Sequence, residues 1–113
     1  MNPSEAIEAI EQQYNALRAE LAKIDYLCAG SIYRRPIGAS GSRCQWTTKD
    51  DHKTVSLTLS LEQADWLETA INENRRVKTI LAEMQRISRR VMLIKFPNAE
   101  RRKQLNTKLI RLI

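Results

Sequence analysis

An α+β fold is predicted for this 113-residue chain: an N-terminal helix, a three-stranded antiparallel β-meander, a long C-terminal helix and a short terminal helix. Three observations predict it. Apolar residues recur at heptad spacing over 7–24 and again over 66–91; residues 43–49 and 54–59 alternate polar and apolar; and no Gly or Pro interrupts 61–96. Helical and extended chain put side chains on one face at different periods, so the change of period marks the change of element.

The first helix is expected over residues 3–25. Asn2 can cap it, Pro3 suits the first helical position, and Glu5 completes a capping box. Ile7, Ile10, Tyr14, Leu17, Leu21 and Ile24 then form a seam with steps of three and four. Three strands follow, from "SIYRR" at 31–35, 43–49 and 54–59, with "PIGASGS" as the connection between the first two. Register of the second pair is decided by its loop. A two-residue turn at Asp51-His52 pairs Trp46 with Leu57, Cys44 with Leu59 and Thr48 with Val55, which gathers the apolar side chains on one face. A three-residue loop would oppose Trp46 to Ser56 and spoil both faces. The remaining face then carries Arg43, Gln45, Thr47, Lys49, Thr54, Ser56 and Thr58, all polar, and Tyr33 with Arg34 or Arg35 can extend it.

"SLEQ" at 60–63 reads as a second capping box and opens the long helix, 61–96. Its seam is Trp66, Ala70, Glu73, Val77, Ile80, Met84, Ile87 and Val91, with Glu73 as the polar breach. The two seams can pair as an intramolecular antiparallel hairpin, or the longer helix can extend into a dimer; because it outlasts the first, Ile80, Met84 and Ile87 are expected between two copies in a homodimer of coiled-coil type. Pro97 ends it, Asn98 can cap a basic terminal helix over 97–113, and Leu105, Leu109, Leu112 and Ile113 lie on one side of that helix. The whole chain, 1–113, is expected to be one domain.

Charge is distributed unevenly. The net charge of +6 divides into −3 over residues 1–25, +3 over 26–60, −2 over 61–85 and +8 over 86–113. A polyanion is the natural partner of such a segment. Arg86, Arg89 and Arg90 fall on one side of a helix, and Arg101, Arg102 and Lys103 open the tail. With Arg43 and Lys49 of the hairpin, these residues are the expected phosphate contacts of a nucleic-acid-binding protein. From Arg86 onward only Glu100 is acidic, whereas a merely solvated face would mix signs. The competing reading is a helical adaptor or assembly protein that docks through its heptad seam. An amphipathic tail resting on anionic lipid ranks third, because one such tail anchors weakly.

Other chemistries are disfavoured residue by residue. Cys28, Cys44 and His52 lack the spacing of a zinc site, so no metal and no cofactor is expected. His52 at the turn and Cys44 at the far end of the strand would lie about 25 Å apart, too far for a nucleophile and its base. Asp50 and Asp51 read as turn formers, and no Gly-rich phosphate loop is present. Trp46 is expected to pack on the inner face rather than to serve as an exposed stacking platform. No enzyme is expected. Mean hydropathy is −0.47 and the best apolar run, "VMLI" at 91–94, is far too short, so no membrane span is predicted. The acidic start lacks the features of a signal peptide, and two cysteines are too few for a disulfide framework, so a cytoplasmic location is expected.

"GSIYRR", "QWTTKDDHKTVSLTLSLEQADW" and "INENRR" resemble an uncharacterised prokaryotic domain family over residues 27–90. That family has a Gly-Ser strand, a Trp-Thr-x-Lys hairpin returning through Lys-Thr-Val, and a Leu-Ser-x-Glu-Gln helix start. Gly30, Ser31, Trp46, Thr47, Lys53, Thr54, Val55, Leu59, Ser60, Glu62 and Gln63 are the corresponding positions. Its members often stand beside mobile-element genes, and the resemblance therefore implies nucleic-acid handling. The family's cysteine cluster is replaced here by "RPIGASGSRC", and His52 stands where a turn glycine is usual. Any metal role of the family does not carry over.

Overall fold

The computed structural model describes residues 3–35, 44–97 and 113. The elements run in the order α1 (Pro3–Leu21), β1 (Ser31–Arg34), β2 (Cys44–Asp50), β3 (Lys53–Leu59) and α2 (Leu61–Lys95). This is the α+β arrangement that the change of period predicts. The cap at Asn2 and the terminal helix over 97–113 lie outside the described residues, Pro97 and Ile113 apart. The chain forms two compact units, one of residues 24–77 and one of 1–23 with 78–113, and α2 runs through both.

The first of these units is built on the sheet, ordered β1-β2-β3 with both pairs antiparallel. Cys44 pairs with Leu59, Trp46 with Leu57 and Thr48 with Val55, the register of the two-residue turn. Asp51 and His52 take up that turn at φ 49° and 65°. Both sit in the left-handed region, where an L side chain crowds the next carbonyl. Replacing His52 with Gly should therefore stabilise the hairpin by about 0.5–1 kcal/mol, after the loss of glycine's chain entropy is subtracted. The urea midpoint measures it, and an unchanged or lower midpoint would show that the turn is not strained.

The inner face of the sheet meets α2 at the hairpin's base and along β1. Cys44, Leu59 and Ala64 form a buried cluster, with Ile32, Trp46 and Leu67 packed against it. Ala64 is fully buried in this cluster. Val55 and Leu57 share this inner face but remain exposed, Leu57 by 55%. The expected burial of Trp46 against Leu57 is thus half fulfilled. The two are cross-strand partners, yet Trp46 is only half-buried and secures its indole by donating Nε1–H to the Ala29 carbonyl at 2.9 Å. The opposite face is polar as predicted, carrying Ser31, Tyr33, Gln45, Thr47, Lys49, Thr54, Ser56 and Thr58.

The start of α2 is capped reciprocally. Gln63 N donates to Ser60 Oγ at 3.1 Å, and Ser60 N donates to Gln63 Oε1 at 2.8 Å. The predicted seam is corrected at its first position, because Trp66 is 57% exposed. The sheet is met by Ala64 and Leu67 instead, and Ala70 and Ile71 are buried one turn further on. A heptad count cannot tell a helical partner from a sheet, and the sheet selects a neighbouring stripe.

In the second unit α1 ends at Leu21, a turn earlier than expected. Lys23 N donates to Glu20 O at 3.1 Å, a tightened last turn, and Ile24 stays exposed outside the helix. Ile7, Ile10, Tyr14, Leu17 and Leu21 are the half-buried stripe the sequence predicts. Glu11 and Tyr14 of α1 share an open cleft of about 240 Å³ with Ile87, Ser88 and Val91 of α2. Ile80 and Ile87 are 5% and 1% exposed, and Met84 is half-buried, all within a single chain. Ile80 and Ile87, expected between two copies, are thus already buried within one chain.

Candidate nucleic-acid interface

Of the eight basic residues singled out from the sequence, Arg86, Arg89, Arg90 and Lys49 are among the described residues, and Arg43, Arg101, Arg102 and Lys103 lie outside them. Arg86, Arg89 and Arg90 occur at i, i+3 and i+4 near the end of α2, so one side of the helix presents all three. All three are half-buried. Arg86 Nη1 lies 3.3 Å from Glu83 Oε2, an i,i+3 pair, and Arg90 donates Nε–H to the Ile113 carbonyl at 2.9 Å. Such partly exposed pairs are weak, and a phosphate can replace a carboxylate or a carbonyl as the acceptor.

Lys49 is exposed on the polar face of the sheet. Strand alternation puts it with Thr54, Ser56, Thr47 and Thr58, while the exposed ring of Tyr33 stands across from Gln45. Hydroxyls, an amide, an ammonium and a phenol ring are the groups with which a sheet can hydrogen-bond to phosphates and base edges. Lys49 belongs to the unit built on the sheet, and the three arginines belong to the other.

Arg34 does not join that polar face. Its strand position turns it toward α2, where its Nη2 reaches Asp65 Oδ1 at 2.8 Å and also pairs with Glu68 Oε2. Hydrogen bonds to Glu68 first, and then to Asp65, hold the guanidinium above its ordinary pKa. The i,i+3 spacing of the two carboxylates on one helix turn makes this clamp possible. Neither "SIYRR" nor "ADWLE" reveals it alone, because the clamp needs β1 laid beside α2. A cleft of about 310 Å³ adjoins it, lined by Arg34, Glu68, Asn72 and Arg75 among others. Both signs of charge share that cleft, so it does not focus an anion.

Cys44 is buried and Cys28 half-buried, and both are free thiols. Cys44 pairs with Leu59 at the hairpin's base while His52 occupies its turn, so the two stand at opposite ends. Among the described residues no three His, Cys, Asp or Glu side chains come together as metal ligands, and no helix is long and apolar enough to cross a membrane. The molecule is an α+β protein with a polar sheet face and a basic stretch at the end of its long helix. Comparison with protein-family models, with curated proteins and with solved structures gives no match to this chain.

Proposed function

We propose that this chain is a small non-enzymatic nucleic-acid-binding protein that meets phosphates through its basic C-terminal segment. The observation that carries this reading is the charge of +8 over residues 86–113, where Glu100 is the single acid. Arg86, Arg89, Arg90, Arg101, Arg102 and Lys103 are the proposed phosphate contacts of that segment, and Arg43 and Lys49 those of the hairpin region. The resemblance to a domain family found beside mobile-element genes supports the same reading. A homodimer would have to pair by another surface, since Ile80 and Ile87 are buried within one chain.

Affinity for duplex DNA and RNA, measured across a salt series, tests this proposal. On B-DNA each phosphate neutralised contributes about −0.9 to the slope of log K against log salt. Changing Arg101, Arg102 and Lys103 together to Ala should flatten the slope by up to about 0.9 per residue. Binding should weaken about equally on all sequences, because backbone contacts carry little sequence information. A sequence-dependent loss on changing Arg43 and Lys49 would assign the hairpin to a groove. Absence of binding at low salt would end this reading.

The alternative, an adaptor for another protein, is favoured by a different observation. Val55 and Leu57 lie exposed on the apolar face of the sheet, where a partner's side chains could cover them. The adaptor surface would then be the hairpin rather than the heptad seam.

A further inference from the structure

Two of the chain's most exposed apolar rings stand beside each other. Tyr26 and Trp66 are 70% and 57% exposed, with ring centroids 5.3 Å apart and planes inclined by 46°. Stacked rings would hide their faces on one another, whereas a tilted pair leaves an open wedge. The wedge is the wall of a cleft of about 160 Å³ that Asp25, Thr69, Ala70 and Glu73 complete. Ala70 is buried at its base, and Cys28 N donates to the Ala70 carbonyl at 3.2 Å, which ties the segment after α1 to α2. The cleft is therefore held by backbone as well as by the rings.

We infer that this cleft binds an organic cation, an alkylammonium or guanidinium group, between the Tyr26 and Trp66 rings and the Asp25 and Glu73 carboxylates. Aromatic faces carry negative quadrupole charge and attract weakly hydrated cations, with Trp the strongest of them. The Asp25 carboxylate beside the rings adds to that attraction, whereas Glu73 is already ion-paired with Arg76. Size points the same way. The cleft has the volume of about five waters, well below that of a pocket for a nucleoside or cofactor. A side-chain head group or a small free amine fits it. Asp25 Oδ1 accepts the Tyr26 N–H at 2.8 Å, which orients the carboxylate. Glu73 is half-buried and ion-paired with Arg76, whose Nε donates to its Oε1 at 2.7 Å, so a bound cation would share this acid with a guanidinium of the chain itself. The site stands on residues separate from the basic segment and does not depend on nucleic-acid binding.

The test uses the two indole N–H resonances of the intact, isotope-labelled protein. It is titrated with tetramethylammonium chloride and with N-acetylarginine amide, each against sodium chloride at equal ionic strength. A saturable shift of the Trp66 resonance is expected, in the millimolar range for a single partly exposed cation, while Trp46, bonded to Ala29 O, stays put. Response to tetramethylammonium alone would assign a small-molecule ligand, and response to the arginine derivative a basic polypeptide; either supports the site. Tyr26→Leu should weaken binding about fivefold. The Asp25→Asn, Glu73→Gln double variant keeps both rings and should weaken it by a similar factor, so a folding defect in the first leaves the second to decide. A shift no different from that in sodium chloride overturns the inference. So does unchanged affinity in the double variant, or a response to single-stranded oligonucleotide in place of the cations.

Discussion

Replacing Gly30 with Ala should destabilise the protein by about 3–5 kcal/mol, and two independent costs add to that figure. Gly30 has φ +111°, a backbone conformation that L side chains rarely adopt. Its Cβ would also lie 2.5 Å from Trp46 Nε1 and 2.6 Å from the Thr47 carbonyl oxygen. The first atom belongs to a ring bonded to Ala29 O, and the second to the backbone of the central strand, so neither yields cheaply. Chemical denaturation of the variant measures the loss. Repeating Gly30→Ala in a Trp46→Leu background should cost less, because one of the two close approaches is gone, while the conformational cost and the Thr47 contact remain. A Gly30→Ala protein as stable as the parent would show that the segment moves away from Trp46 at no cost.

Ile87→Ala is the second large effect. Ile87 is 1% exposed, the most deeply buried large side chain on α2. Truncating it removes three carbons and leaves a cavity in the unit containing α1, for an expected loss of about 2–5 kcal/mol. The melting temperature of parent and variant should not depend on protein concentration, since the burial is within one chain. A midpoint that rises with concentration in the parent but not in the Ile87→Ala variant would instead restore the homodimer seam, because association stabilises by mass action.

Much of the architecture was legible because local rules were enough to state it. The caps at Ser60 and Gln63, the seam of α1 and the Asp51-His52 turn each depend on residues within a few positions of one another. The hairpin register followed because a shift by one would have turned Trp46, Leu57 and Cys44 to the wrong face. The phosphate-binding candidates were legible only as charge. Their number is written in the sequence, but whether a guanidinium meets solvent, as a phosphate contact needs, or a neighbour such as Glu83 or Ile113 is a matter of three-dimensional position.

By itself, then, the sequence determined the kind and order of the elements, the strand register, the polarity of the outer sheet face and the basic end. These are properties of periodicity and composition, which survive without knowledge of what lies opposite. Tertiary structure alone decided which stripe of α2 is covered. It chose Ala64 and Leu67 over Trp66, because close packing on the strands favours a small side chain at the contact. Trp66 was thereby left free to stand against Tyr26 in an acidic cleft, and Arg34 was turned from the polar face to the carboxylates of Asp65 and Glu68. Both outcomes join residues more than thirty positions apart, where no local period carries information about the partner.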